Sequence, residues 1–189
     1  MRKVYLLLFL FYLNQTEAQQ SSLPNPPWYQ TTGIEFQAYP AGQIYGIRIE
    51  QTYKWFHNFN LRIGYNRAFR KNFSGLNDNE QGGGLGISPG YRYNFLKGSF
   101  WKLYAGVRCD LWWLNIHWKD KNHIPREGTS SITVLQPTAQ IEYEVKSNSH
   151  WSITLSLAFG REINIITKGK PVGQGGISLA GISITRSIF

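Results

Sequence analysis

Three polar residues in the last quarter of the chain have the side chains that a hydrolase would need. His150 could act as the base, Ser152 as the nucleophile and Glu162 as the group that orients the histidine. The segment that joins them alternates like a strand, so Ser152 and Glu162 would lie about 33 Å apart at roughly 3.3 Å per residue. We therefore predict that these residues form no triad, and we assign no catalytic residue from the sequence.

A second group has the side chains of a metal site. His117, Asp120 and His123 lie close together in the sequence, but their spacing matches no specific metal site, and loops often carry such residues for solvation. The glycine-rich run Gln81 to Gly86 opens no predicted helix, which argues against a phosphate-binding loop. The sequence therefore predicts neither a metal nor a cofactor.

The segments that carry these groups have two unlike faces. Between Trp151 and Phe159, the residues Trp, Ile, Leu and Phe occupy one face, while Ser, Thr and Ala occupy the other. Similar alternation recurs along the chain between turn residues, which predicts an all-β fold of about eight antiparallel strands. Short connections near Phe56, Gly98 and Asn148 alternate with longer ones, as in an up-and-down barrel. Only one of the predicted loops, at Pro40, is unexpectedly tight.

Charged residues fall on the polar face of these strands. An eight-stranded barrel is just filled by side chains, so we expect a filled polar interior and no open pore. Charges of both signs cannot be buried there unpaired without a large cost, and we predict one ion-pair and hydrogen-bond network. Its predicted members are Glu35, Arg48, Glu50, Arg62, Arg92, Arg108, Asp110, Glu142, Glu144 and Glu162.

Aromatic residues gather beside the short connections on the apolar face. Such rings favour a membrane–water boundary because one end prefers hydrocarbon and the other prefers water. The predicted membrane-interface residues are Trp55, Phe59, Tyr93, Phe95, Trp101, Tyr143 and Trp151. A sparser ring of Tyr65, Phe69, Trp113 and Phe159 would lie at the other boundary.

The ends of the chain divide it into three predicted segments. Residues 1–18 have the basic start, the apolar run and the small-residue end of a secretory signal peptide. Residues 19–30 are polar and rich in proline, which predicts a flexible lead, and residues 31–189 form the predicted barrel. Cys109 is the single cysteine, so no internal disulfide can stabilise the fold, and we expect it to be an inert residue on the apolar face.

Alternation alone does not say which face of a barrel lies outside. A soluble periplasmic carrier of the lipocalin kind would place its Trp, Leu and Ile residues inside. In this chain the polar face is interrupted by glycines such as Gly64, Gly86 and Gly106, which suits a crowded interior. We therefore favour a transmembrane barrel whose apolar face contacts lipid, with the soluble carrier as the alternative.

This pattern resembles the small bacterial outer-membrane barrels of the OmpA-type and OmpX-type families. The resemblance rests on the signal-like start, the alternating hairpins and the terminal Phe189, and it implies a location in the bacterial outer membrane. A final Phe with apolar residues at alternate positions resembles the segment that the barrel-assembly machinery reads in such families. Here Ser183, Thr185 and Ser187 share the parity of Phe189, so a bulge in the last strand, or a terminal residue turned out of register, would be needed.

We predict a structural or docking role in the cell envelope. The net charge of +9 favours anionic lipid phosphates as partners, and export argues against nucleic acid. Outer-membrane lipids including lipopolysaccharide and an envelope protein are the expected partners. The basic residues that would ring the outer mouth are Arg67, Arg70, Lys71, Lys119, Lys121, Arg126, Lys168 and Lys170. The alternative is a lipid A-modifying enzyme, a deacylase or an acyltransferase, on the same scaffold.

Overall fold

Eight long strands make up nearly all of the structure. The computed structural model describes residues 28–71, 77–120, 122, 124–146 and 150–188. The predicted signal peptide, residues 19–27 of the predicted lead and Phe189 lie outside the described residues. The strands are β1 (Trp28–Tyr39), β2 (Gly42–Tyr53), β3 (His57–Lys71), β4 (Asn79–Lys97), β5 (Trp101–Lys119), β6 (Glu127–Lys146), β7 (Trp151–Lys168) and β8 (Gly175–Ser187).

The strands form one closed barrel in chain order. Each strand pairs antiparallel with its neighbours in the sequence, and β1 pairs with β8 to close the ring. This confirms the predicted eight-stranded up-and-down barrel. β1 begins at Trp28, so the last three residues of the predicted lead belong to the sheet. Within the described residues, no helix is long and apolar enough to cross a membrane.

Where apolar and polar residues alternate in the sequence, their side chains alternate between the outer surface and the interior of the barrel. On β3, Phe59, Leu61 and Ile63 point outward and are 40–55% exposed, whereas Asn60 and Arg62 are buried inside. Along most of the wall the large apolar side chains thus face outward and the charged ones face inward. This arrangement is the reverse of a soluble barrel and requires an apolar surrounding medium.

The connections differ at the two ends of the barrel. One end, the short-turn end, has the turns 54–56 and 98–100 and the connection between β6 and β7, of which 147–149 lie outside the described residues. In the first of these turns Lys54 and Trp55 have positive φ angles of 48° and 68°. The other end, the long-loop end, has the connections 72–78, 120–126 and 169–174 and the tight turn 40–41.

The last strand has a regular register. Its pairings with β1 and β7 run without a shift, and Ser183 and Thr185 are buried inside while Ile182 and Ile184 are exposed outside. The bulge that the parity of this strand suggested is therefore absent from Gly175–Ser187. Near the short turns the apolar residues Ile182 and Ile184 face outward without it, whereas Ile177 and Leu179 near the long loops face inward.

The interior has two layers rather than one. The predicted polar filling occupies the part nearer the short turns, but a cluster of buried apolar side chains fills the part nearer the long loops. It includes Tyr39, Ile44, Trp112, Leu114, Ile116, Trp118, Ile132, Val134, Val172, Ile177 and Leu179. The predicted polar filling is thus present, and the apolar cluster beside it is a feature that the sequence analysis did not predict.

The outward face changes where this apolar layer begins. On β5, Trp113 is exposed, but Asn115, His117 and Lys119 follow it on the outward side while Leu114 and Ile116 point inward. On β6 the outward residues near the long loops are likewise polar. A sheet with a polar outside and an apolar inside is suited to water, so this part of β5 and β6 extends beyond the lipid.

Candidate functional site in the interior and at the two ends

Glu35 on β1 is the centre of the interior charges. Its carboxylate accepts from Arg48 at 3.1 Å, Arg62 at 2.8 Å and Arg108 at 2.9 Å. These arginines come from β2, β3 and β5, so one side chain links four strands across the barrel. All four side chains are at most 2% exposed. A carboxylate that is buried to this extent is stable in its charged form only when several short ion pairs compensate the loss of water.

The contacts extend from this centre toward the short-turn end. Asp110 accepts from Arg62 at 3.0 Å and forms an ion pair with Arg108 at 3.0 Å. Glu142 pairs with Arg48 at 3.0 Å and with Arg92. Further ion pairs join Arg48 to Glu50, Arg92 to Glu50 at 2.8 Å, Arg92 to Glu144 at 3.3 Å, and Lys102 to Glu144 at 3.1 Å.

These side chains form one connected group, which we call the interior network. Its members are Glu35, Arg48, Glu50, Arg62, Arg92, Lys102, Arg108, Asp110, Glu142 and Glu144. Five basic and five acidic side chains give it no net charge. Nine of the ten residues predicted for the interior are brought together here.

Lys102 is the member that sequence reasoning missed. It shares the inward parity of Tyr104 and Arg108 on β5, and that parity is the signal that could have found it. Besides its ion pair with Glu144, its ammonium group donates to the Tyr29 hydroxyl at 3.2 Å.

Glu162 was predicted for the same network but lies in another one. Arg70 donates to Glu162 at 2.7 Å and to Glu80 at 3.3 Å, near the long loops. Glu80 also accepts from the Gly173 amide at 3.0 and 3.1 Å and from the Asn77 side chain at 2.8 Å. The loop 169–174 is therefore fastened over the barrel mouth by a carboxylate of β4.

The border between the polar and apolar layers is built from Trp112. Its indole nitrogen donates to Gln136 at 3.1 Å, and the guanidinium of Arg62 lies 5.4 Å from the ring centre. Gly86 makes room for this ring, because a Cβ added there would lie 2.2 Å from the Trp112 side chain. With the ion pairs on one side and the apolar cluster on the other, the cross-section is filled.

Six of the seven predicted interface aromatics lie on the outer wall near the short turns. Phe59, Tyr93, Phe95, Tyr143 and Trp151 are exposed, and Trp101 is half-buried with its ring 6.1 Å from that of Tyr143.

Trp55 is the exception to this placement. It lies in the turn 54–56, half-buried, with its ring 4.9 Å from the Tyr29 ring and 5.7 Å from the inward-facing Lys102 ammonium. It therefore covers the end of the interior rather than the outer wall, because the left-handed turn redirects its side chain.

The predicted basic rim is divided by the structure. Five residues are exposed around the long-loop end, and we call them the long-loop cations: Arg67, Lys71, Lys119, Arg126 and Lys168. Arg70 is buried in its ion pairs, and Lys170 pairs with Asp120 at 2.6 Å over the Trp118 ring. Lys121 lies outside the described residues.

The structure does not bring together the residues of the candidate catalytic triad or those of the candidate metal site. Ser152 is 3.4 Å from Thr185 at the start of β7, whereas Glu162 is ion-paired with Arg70 near the other end. His117 is exposed on the outward face of β5, while Asp120 is buried with Lys170, and His123 lies outside the described residues. Among the described residues, no three His, Cys, Asp or Glu side chains form a group that could hold a metal.

The charges are sorted between inside and outside. Eight acidic residues are buried, namely Glu35, Glu50, Glu80, Asp110, Asp120, Glu142, Glu144 and Glu162. After the predicted signal peptide, this leaves only Asp78 and Glu127 as acidic residues nearer the surface. The net positive charge of the chain is therefore displayed on the surface.

A closed eight-stranded ring with an apolar wall and an ion-paired interior defines a transmembrane β-barrel of the outer-membrane type. The chain is similar to the N-terminal β-barrel domain of Pseudomonas aeruginosa OprF, with 13% identity over 86% of this chain and 98% of that chain and a TM-score of 0.50. It is similar to the Neisserial surface protein A, with 11% identity over 84% of this chain and 97% of that chain and a TM-score of 0.52. At these identities the similarity shows the fold. No family model and no curated protein matches the chain.

Proposed function

We propose that the chain is an integral protein of the bacterial outer membrane that serves a structural or docking role in the cell envelope. The short-turn end faces the periplasm, and the long-loop end faces the cell exterior. Short periplasmic turns and longer outer loops are the usual arrangement of such barrels. The barrel-assembly machinery would insert the chain, with the C-terminal strand β8 as the segment that it reads.

The observation that carries this proposal is the separation of charge. The interior network is neutral and buried, so it holds the barrel together and offers no open path or exposed group for a reaction. The cations that remain are on the surface, where they can contact anions. Lipopolysaccharide phosphates lie at the outer surface of this membrane, and the long-loop cations are the groups that would bind them.

The extension of β5 and β6 supports a docking role. Its outward face carries polar side chains, and its inward face packs into the apolar layer. Buried side chains such as Trp118 and Ile132 belong to that apolar cluster and fix this hairpin to the rest of the barrel. A rigid polar surface beyond the lipid is what an envelope protein partner could reach.

The proposal is tested by binding of purified lipopolysaccharide to the folded protein in detergent. A long-loop variant carries Arg67→Gln, Lys71→Gln, Arg126→Gln and Lys168→Gln, all at exposed positions. We expect its affinity to fall by at least about tenfold, because four cations at roughly 1 kcal/mol each near anionic lipid amount to about 4 kcal/mol and a third of that sum is already tenfold.

Two controls make this test specific. A variant with the same number of changes at the short-turn end should bind as wild type does, and fractionation of cells should recover the wild-type protein with outer membranes. A soluble periplasmic protein, or equal binding by wild type and the long-loop variant, would contradict the proposal.

A further inference from the structure

A row of short side chains crosses the outward face of three neighbouring strands. The pairs on either side of Pro89 on β4 place it opposite Cys109 on β5, and Cys109 pairs with Pro137 on β6. All three residues are exposed on the outer wall. Together with their neighbours they line an open groove of about 630 Å³, whose outward side chains include Pro89, Tyr91, Val107, Cys109, Pro137 and Ala139.

The two prolines shape this groove. Proline has no amide donor and interrupts the ladder. The pairs between β4 and β5 therefore skip from Ile87 to Gly90, and those between β6 and β7 skip from Leu135 to Thr138. On the side of the long loops, the next aligned outward residues are the larger Ile87, Leu111 and Leu135. The short side chains thus leave a depression in the wall beside a row of larger ones.

The groove leads to an arginine on the outer wall. The pairs on either side of Arg161 on β7 place it opposite Pro137, and Arg161 is exposed between the outward residues Phe159 and Ile163. Among the described residues, no side chain forms an ion pair or a hydrogen bond with its guanidinium. Its partner on β8 is Gly176, where an added Cβ would have no atom within 4 Å. The space beside Arg161 is therefore open to a ligand.

The row rises toward the long-loop end as it passes around the barrel. It runs from Leu61, near the start of β3 at the short-turn end, to Gly176, at the long-loop end of β8. Arg161 follows Trp151 by about ten residues, which is roughly 33 Å along the strand and about 25 Å of height at the usual strand tilt. The apolar band of such barrels has about that height. Arg161 therefore lies at the outer boundary of the hydrocarbon, and the Pro89 end of the groove lies deeper.

We propose that Arg161 and this groove bind one lipopolysaccharide molecule, with a lipid A phosphate on Arg161 and one acyl chain in the groove. The inference rests on the proposed function, in which the long-loop end faces the cell exterior. A guanidinium binds phosphate through paired N–H groups, and phosphates lie at this boundary. An acyl chain extends from its headgroup into the hydrocarbon, and the groove descends from Arg161 in that direction.

The test measures how many lipid A molecules the folded protein retains. Purified lipid A is titrated into the protein in detergent, and native mass spectrometry gives the occupancy. Arg161→Gln should lower the apparent affinity of one bound molecule by about fivefold, the contribution of one cation near anionic lipid. Arg161→Lys should restore most of it. Cys109→Phe places a ring in the groove and should lower the affinity by a similar factor.

Two chemically altered probes separate the phosphate contact from the acyl contact. With dephosphorylated lipid A, Arg161→Gln should bind as wild type does, whereas Cys109→Phe should still bind more weakly. With deacylated lipid A the order should reverse, because no chain remains to enter the groove. An effect of Arg161→Gln that is independent of the phosphates would contradict the proposed site.

Two matched variants test whether the effects are local. Ala105→Phe adds the same ring to the outward face of β5, outside the groove. Arg186→Gln removes an exposed cation at the short-turn end. Both should bind lipid A as wild type does, and heat-modifiable migration in gels checks that every variant is folded. Losses in these controls equal to those of Cys109→Phe and Arg161→Gln would overturn the site.

Failure of this inference differs from failure of the proposed function. Wild-type affinity for lipid A in Arg161→Gln or in Cys109→Phe would overturn the groove site. The proposed function would still stand if lipopolysaccharide binding fell in the long-loop variant. Absence of any lipopolysaccharide binding to the wild-type protein would instead overturn the proposed function on which the site rests.

Discussion

At the residue scale, the stability of this barrel depends on how its buried charges are shared. Glu35 contacts three arginines, so its carboxylate offsets positive charge that would otherwise remain in a space sealed from water. A buried ion pair contributes little over an apolar replacement, but removal of one partner leaves the other charge uncompensated. Glu35 is therefore the position at which the interior network is most sensitive.

We predict that Glu35→Gln destabilises the barrel by about 3–5 kcal/mol, the usual cost of breaking a buried pair. The change keeps the size of the side chain and removes its charge. The measurement is the free energy of unfolding by urea in phospholipid vesicles.

The matched control is Glu127→Gln, which removes a carboxylate of the exposed pair with Lys119 at 3.4 Å. Exposed pairs contribute about 0–1 kcal/mol, so this change should have a small effect. Similar losses for the two variants would show that the interior network does not have the strength assigned to it.

At the element scale, the barrel has one side of longer strands, which pass from a lipid environment into water along their length. β4, β5 and β6 have 19, 19 and 20 residues, whereas β1 and β2 have 12 each. Near the short turns their outward faces meet lipid, and beyond Trp113 the outward face of β5 is polar. Glycines on β4 allow the large rings of β5 to pack inward where the two environments meet.

We predict that Gly86→Ala destabilises the barrel by about 1–3 kcal/mol, the usual cost of overpacking. The added Cβ would lie 2.2 Å from Trp112 Cε3 and 2.4 Å from the Leu111 carbonyl oxygen. The same unfolding measurement applies. Gly176→Ala on β8 is the control, because nothing lies within 4 Å of its added Cβ; an equal effect at both positions would contradict the packing account.

A second prediction concerns the loop 169–174. Glu80→Gln weakens the contacts that fasten Gly173 and Arg70, so the loop should open more often. Trypsin should then cleave the exposed bond after Lys168 about tenfold faster, because loss of one or two buried hydrogen bonds corresponds to about 1–2 kcal/mol. The barrel itself should keep its heat-modifiable migration, and unchanged cleavage would show that Glu80 does not hold the loop.

The strands and their faces could be predicted because alternation is local. The inward position of Glu35 follows from parity alone, whereas the regular pairing of β8 did not, because the parity of Phe189 suggested an irregularity there. The apolar layer could not be predicted in the same way, because Leu111 to Leu114 is apolar on both faces. Alternation therefore does not indicate which of these residues point inward. The pairing of Glu162 with Arg70 depends on the relative heights of β7 and β3 across the barrel, and the position of Trp55 depends on its turn. The pattern of a single strand encodes neither.

At the scale of the whole molecule, charge is arranged in three zones. The interior network is neutral, the middle of the outer wall is apolar, and both ends display cations. This order matches the order of a membrane, with hydrocarbon between two layers of charged headgroups.

The filled cross-section predicts a barrel that does not conduct ions. The ion pairs of the interior and the apolar cluster above them leave no continuous water path, as expected for eight strands. Planar bilayers that contain the wild-type protein should show no channel steps. Stable openings in the wild type would mean that the interior layers separate in the membrane.

The most direct test of the account uses Cys109, the single cysteine, which is exposed on the outward face of β5. A spin label on this native residue in reconstituted vesicles should collide with oxygen dissolved in lipid and not with a water-soluble nickel complex. A label at Thr129→Cys in a Cys109→Ser background lies on the same outward side but beyond the lipid, and it should collide with nickel. Collisions of the Cys109 label with nickel, or with neither reagent, would contradict a lipid-facing wall.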